Sequence, residues 1–175
     1  MAMRSGRATR WTPAAIPIGT LLMLLGAWAF FVPLVGPYFD FGFFTSSTWS
    51  FSSRHWELLL LPGIAIFAGG LILTMPSRGL GSLGALLAFA GGAWLLVGPS
   101  LFPLWTTSTG VQPATPHSEL LKSLLWIGYF YGTGGLTMYL AGAAHGLFAR
   151  RRVVEEMPVI EETPVERTER TVTHA

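Results

Sequence analysis

His145 is the one histidine that falls inside a long apolar run, and Ala141 precedes it by four positions. On a helix that spacing sets both on one face. An imidazole nitrogen so placed could ligate the central metal of a (bacterio)chlorophyll or a haem, the small alanine leaving room for the macrocycle. The alternative is a hydrogen-bonded boundary residue, because Arg150 follows only five positions later. His55 with Glu57, and His117 with Glu119, repeat one spacing at the starts of two apolar runs. Brought together they could hold a divalent cation. Helix chemistry accounts for them without one: Ser53 and Thr115 are expected N-caps, and a glutamate in a first turn suits the helix dipole. No metal is expected. Tyr129, Thr133 and Thr137 are spaced by four and form a polar stripe. Such a stripe lines a solute path or, more commonly, bonds carbonyls of its own or a neighbouring helix. There is no cysteine, no nucleophile–base–acid set, no phosphate-binding loop and no nucleic-acid motif. The reading is therefore non-enzymatic.

The elements that would carry these residues are apolar. About half of the 175 residues are hydrophobic and 11% are charged, against roughly a quarter charged in soluble domains. Between Trp11 and Leu147 the only charges are Asp40, Arg54, Glu57, Arg78, Glu119 and Lys122. The pattern predicts an all-α membrane protein with four transmembrane helices, at 16–35, 56–75, 83–102 and 120–148. About twenty residues at 1.5 Å each span the hydrocarbon core. A basic segment, 1–15, precedes the first. A linker at 36–55 holds Tyr38, Phe39, Phe41, Phe43, Phe44, Trp49 and Phe51, which suits a membrane-hugging loop or a docking surface. Residues 76–82 form a short loop, 103–119 a polar one, and 149–175 a charged, solvated tail that starts after the Arg150-Arg151-Arg152 stop. Arg4, Arg7, Arg10, Arg78 and the Arg150 cluster fall on one side, so positive-inside places both termini in the cytoplasm of a multi-pass bacterial inner-membrane protein.

A duplication orders the helices. Gly26-Ala27-Trp28, Pro33 and Pro37 recur at the same spacing as Gly92-Ala93-Trp94, Pro99 and Pro103. Gly69-Gly70-Leu71 recurs as Gly134-Gly135-Leu136. Two tandem helical hairpins, 16–75 and 83–148, related by an axis along the membrane normal, are the expected arrangement. The prolines should kink or end the odd-numbered helices, and the carbonyls they free need partners from elsewhere. The Gly-x-Trp, four residues, Pro pattern followed by a second apolar helix resembles the SPW repeat of bacterial and archaeal membrane proteins. The resemblance covers about residues 21–146. The family's Ser-Pro-Trp reads Val32-Pro33-Leu34 and Gly98-Pro99-Ser100 here. It implies a two-helix unit in tandem and no reaction.

Small residues allow close helix approach in lipid. Gly84, Ala88 and Gly92 form such a row on the third helix. Gly128, Gly132, Gly135, Gly142 and Gly146 form one on the fourth, with Tyr139 at the one heptad place that is not glycine. That row is expected to be the seam of the second hairpin or a contact to another subunit. The functional expectation is an accessory or scaffolding subunit of a larger membrane complex, respiratory or photosynthetic complexes being one host, with other membrane subunits and lipid as partners and no nucleic acid. The alternatives are an oligomeric channel or small-solute permease, and a pigment- or haem-binding subunit through His145.

Overall fold

The computed structural model describes residues 14–44, 47–104 and 118–156, with backbone alone at 78 and 149–156. α1 is Ala15–Val35 and ends in a 3₁₀ turn, Gly36–Phe39. α2 is the continuous helical stretch Ser53–Leu73. α3 is Arg78–Leu101, followed by the 3₁₀ turn Phe102–Leu104. α4 covers 119–156. No β-strand occurs among the described residues. The helices alternate in direction. One end of the bundle carries the 36–52 connection, here the Phe43 end; the other carries the turn at Pro76, the Pro76 end.

α1, α2 and α3 are long and apolar enough to cross a membrane. α4 is long enough, but its glycines, tyrosines and threonines dilute its leucines, and it does not reach the same apolarity. Several boundaries differ from expectation. α2 starts at Ser53, capped by Ser52 rather than Ser53, since the Ser52 hydroxyl accepts the His55 N–H. The cap of α4 is Ser118, whose hydroxyl accepts the Leu121 N–H; Thr115 lies outside the described residues. α3 begins at Arg78 rather than 83, so the loop shrinks to a tight turn in which Met75 N–H reaches the Ile72 carbonyl. α4 does not stop at the arginines but continues to Glu156. Arginine and glutamate are good helix formers, and leaving lipid does not by itself end a helix. The 1–13 and 157–175 segments lie outside the described residues.

In space the helices follow chain order: α1 packs on α2, α2 on α3, α3 on α4, with a shorter contact from α4 back to α1. Glycine sets the first three seams. A Cβ on Gly70 would sit 2.7 Å from the Gly19 carbonyl oxygen, and the Gly26 and Gly63 backbones meet further along α1 and α2. A Cβ on Gly69 would stand 2.6 Å from both the Gly84 oxygen and the Ala88 nitrogen on α3. A Cβ on Gly134 would lie 2.8 Å from the Gly92 oxygen. The adjacent Gly69 and Gly70 thus serve opposite neighbours, and α2 is clasped from both sides. The row on α3 divides too. Gly84 and Ala88 face α2, while Gly92 faces α4. Eight residues turn a helix about 80° past two full turns, enough to carry the last member to the other neighbour.

Bulk is on the outside. Leu21, Leu24, Trp28 and Phe31 of α1, Leu83 and Leu86 of α3, and Leu120 and Leu124 of α4 are exposed. In water such a surface would aggregate; against acyl chains it costs nothing, while inside, glycine-on-glycine crossings alternate with buried Leu22, Ile66, Leu73, Leu95 and Phe130.

The two hairpins differ in internal register. Gly26 meets Gly63 in the first. The Gly-Gly-Leu match makes Gly128 the counterpart of Gly63, but Gly128 has nothing within 4 Å and Gly92 meets Gly134 instead, six residues along. The duplicated letters therefore do not produce a duplicated crossing.

Candidate functional site

Prolines inside the helices dictate the polar contacts between them. Pro33 lies within α1, so the Ala29 carbonyl, four residues back, has no helical donor. Tyr129 of α4 donates its hydroxyl to that carbonyl. α2 shows the same problem in another register. Its turn Trp56–Leu60 is π-helical, and Leu61 N–H reaches Trp56 oxygen, five residues back. The next donor in that register is residue 62, a proline. Trp94 Nε1 of α3 supplies the missing bond to the Glu57 carbonyl at 2.9 Å. Lipid offers no water for an open carbonyl, and the breaks at Pro33 and Pro62 are each met by a donor from a neighbouring helix. Trp28, the other signature tryptophan, is 57% exposed and faces away. Pro99 lies within α3, whereas Pro37 and Pro103 sit in the 3₁₀ turns that follow α1 and α3.

The aromatic linker is only partly a surface feature. Phe43 is buried, its ring 4.4 Å from Tyr129 and 5.5 Å from Phe130, with Trp126 beyond. Phe41 and Phe44 pack at its edges. Tyr38, Phe39, Trp49 and Phe51 stay exposed. α4 receives Phe43 through its own π-helical turn, Ile127–Gly132, which brings Tyr129 and Phe130 inward together. Asp40, Phe44 and Trp49 hold left-handed backbone (φ 55°, 64° and 54°) to make this fold-back.

Of the two roles expected for the glycine row of α4, the structure does not show the seam of the second hairpin, and the Tyr-Thr-Thr stripe packs inward. Tyr129, Thr133 and Thr137 are buried, and Ala141 and Ala144 continue that face inward. The Thr137 methyl lies against Gly92. A stripe buried against its neighbours, Tyr129 on α1 and Thr137 on α3, is not a path, and Thr137 Oγ1 is buried with no hydrogen-bond partner among the described residues. The glycine row points away. Gly128, Gly135, Gly142 and Gly146 have nothing within 4 Å, and Gly132 meets only its own helix. Gly134, one position off the row, makes the crossing. Spacing identified a face correctly but could not say which side of the helix was inside.

His145 is half-buried, with Nδ1 3.2 Å from Ser82 Oγ on α3. Ala141, the residue meant to leave room for a macrocycle, is fully buried against the bundle, so the room is absent on that face. His55 is buried, its Nδ1 2.8 Å from Ser52 Oγ, its ring edge-on to Phe44, and its Nε2 without a hydrogen-bond partner. His117 lies outside the described residues, among which no group of three His, Cys, Asp or Glu could hold a metal. Lys122 pairs with Glu119 at 2.8 Å on the surface, a contact worth little in water. Sequence reasoning passed over Pro62; a proline in the middle of an apolar run demands a donor from a neighbouring helix, and that was the available signal.

Comparison with known proteins finds no protein-family model, no curated protein and no solved structure that matches this chain.

Proposed function

We propose that this chain is a non-catalytic accessory or scaffolding subunit of a larger bacterial membrane complex, an energy-transducing assembly being one host. The observation that carries the reading is the open face of α4. Five glycines lie on it, four with nothing within 4 Å, and Tyr139 on the same row is 74% exposed. Each glycine in a helix interior costs about 1 kcal/mol relative to alanine. A smooth, weakened face of this kind fits a second helix and gains nothing against acyl chains. In this reading α4 is the fourth span, both termini are cytoplasmic, and the chain sits in the inner membrane. The burial of Tyr129, Thr133 and Thr137 removes the best candidate lining for a permease, and the burial of Ala141 removes the best seat for a pigment beside His145.

The test is purification of the tagged chain from its native membrane in mild detergent, with an absorbance spectrum and mass spectrometry of what accompanies it. A stoichiometric complex that dissociates on Gly135→Leu plus Gly142→Leu, with the chain itself still folded, is the expected result. A lone, colourless homo-oligomer unaffected by those substitutions would overturn the reading.

A further inference from the structure

At the Phe43 end an open pocket of about 440 Å³ is lined by Phe44, Ser50, Ser52, Ser53, Arg54 and His55. Its volume falls in the ~300–1,000 Å³ range of small-molecule sites. Its chemistry is one-sided: a guanidinium, three hydroxyls and an imidazole can all donate hydrogen bonds, and no carboxylate lines it. Arg54 is half-buried, and no ion pair joins it to a carboxylate among the described residues. The imidazole completes the set. Nδ1 lies 2.8 Å from Ser52 Oγ, and the tautomer decides which of the two donates. Nε2 is buried and makes no hydrogen bond among the described residues by geometry, with the Phe43 backbone beside the ring.

The place of the pocket is informative too. Ser53 opens the apolar stretch Ser53–Leu73, so the pocket stands where a span meets the headgroup layer. Trp49, Phe51 and Trp56 are exposed around it, the residue types that lie at that depth. Phe44, in the wall, and Trp49, at the rim, both hold left-handed backbone. Side chains adopt that conformation at a cost, and such strain gathers at ligand sites.

We propose that this pocket binds a phosphate-type oxyanion carrying one negative charge, supplied by the phosphodiester of an anionic lipid headgroup. One guanidinium balances one charge, the hydroxyls and the imidazole take the remaining lone pairs, and the surrounding rings meet the glycerol and upper acyl chain. Free inorganic phosphate shares the oxyanion chemistry but would leave the rings unused. This assignment does not depend on the subunit reading above.

The experiment is native mass spectrometry and thermal unfolding of the full chain in mild detergent, titrated with phosphatidylglycerol, with diacylglycerol lacking the phosphate, or with inorganic phosphate. One saturable phosphatidylglycerol per chain is expected, weakened about tenfold or more by Arg54→Gln, as befits loss of a charge-assisted contact. Ser53→Asp is the second variant. An acid there favours the helix start, so the chain folds while the pocket repels the ligand, and phosphatidylglycerol binding is again lost. Arg54-dependent binding of inorganic phosphate without phosphatidylglycerol would overturn the lipid source. Equal binding of phosphatidylglycerol by wild type and both variants, or equal binding of diacylglycerol, would overturn the site.

Discussion

Three of the four helix–helix seams close through glycine, and the fourth, between α1 and α4, closes through a tyrosine. The glycine seams bring backbone onto backbone: Gly19 on Gly70, Gly69 on Gly84, Gly92 on Gly134. They carry no side-chain hydrogen bond among the described residues except where Trp94 reaches the Glu57 carbonyl and Ser82 meets His145. At the α1–α4 seam the Tyr129 hydroxyl reaches across to Ala29 and Phe43 fills the space at the Phe43 end. The difference separates two ways of holding helices in lipid. A glycine seam is close contact summed over many atoms and fails when one atom is added. A tyrosine seam is one bond plus a ring cluster and fails when one atom is removed.

The largest effect should come from adding atoms at a glycine seam. Gly69→Leu drives a side chain into the backbone of α3, and we expect a loss of about 3 kcal/mol or more, or failure to fold. The same change at Gly135, on the open face, should cause no loss and raise the unfolding free energy of the isolated chain by up to about 1 kcal/mol, since glycine is the poorer helix former. Denaturant titration in detergent micelles measures both; similar losses would erase the distinction between the two faces of α4. Next comes atom removal at the tyrosine seam. Tyr129→Phe should cost about 1–2 kcal/mol by leaving the Ala29 carbonyl open. In a Pro33→Ala background, where residue 33 regains an N–H, the same substitution should cost close to nothing. A cycle with no coupling would show that the hydroxyl does not serve the proline break.

Smaller still is the contrast between the two signature tryptophans. Trp94→Phe should cost roughly 0.6–1.5 kcal/mol, the range for hydrogen bonds within membranes. Trp28→Phe should be nearly neutral for the isolated chain. Equal effects would mean that the indole–carbonyl bond contributes nothing. The smallest change is expected at Thr137→Val, which removes a buried hydroxyl lacking a partner while keeping its shape. It should leave stability unchanged or raise it by a few tenths of a kcal/mol, read from the same titrations.

Much of the helix placement was legible in residue types alone. Runs of leucine, isoleucine and phenylalanine between Gly/Pro-rich breaks located α1 to α3 to within a few residues. The inside of the bundle was legible only in part. Gly84, Ala88 and Gly92 were recognised as contact residues, but their division between two neighbours follows from angular drift that a spacing rule does not carry. On α4 the small-residue face and the Tyr-Thr-Thr face were both visible, but spacing left open whether the glycine row closed the hairpin or faced outward. The choice is made by a π-helical turn and by Phe43, thirty-odd positions outside any helix that α4 pairs with in sequence. The pocket at Arg54 was hidden for another reason: Ser53 read as a helix cap, and only the fold-back of the linker places Phe44 against His55.

The two proline breaks have a consequence for how the chain is made. A polypeptide leaves the ribosome N-terminus first, so Ala29 and Glu57 are synthesised long before Tyr129 and Trp94. Until those residues arrive, the first two helices lack the side chains that meet these two carbonyls in the complete chain. The first hairpin is thus an unfinished object by design of its own sequence. A message truncated after Ser77 yields a fragment in which the Ala29 carbonyl lacks the Tyr129 hydroxyl and the Glu57 carbonyl lacks the Trp94 indole.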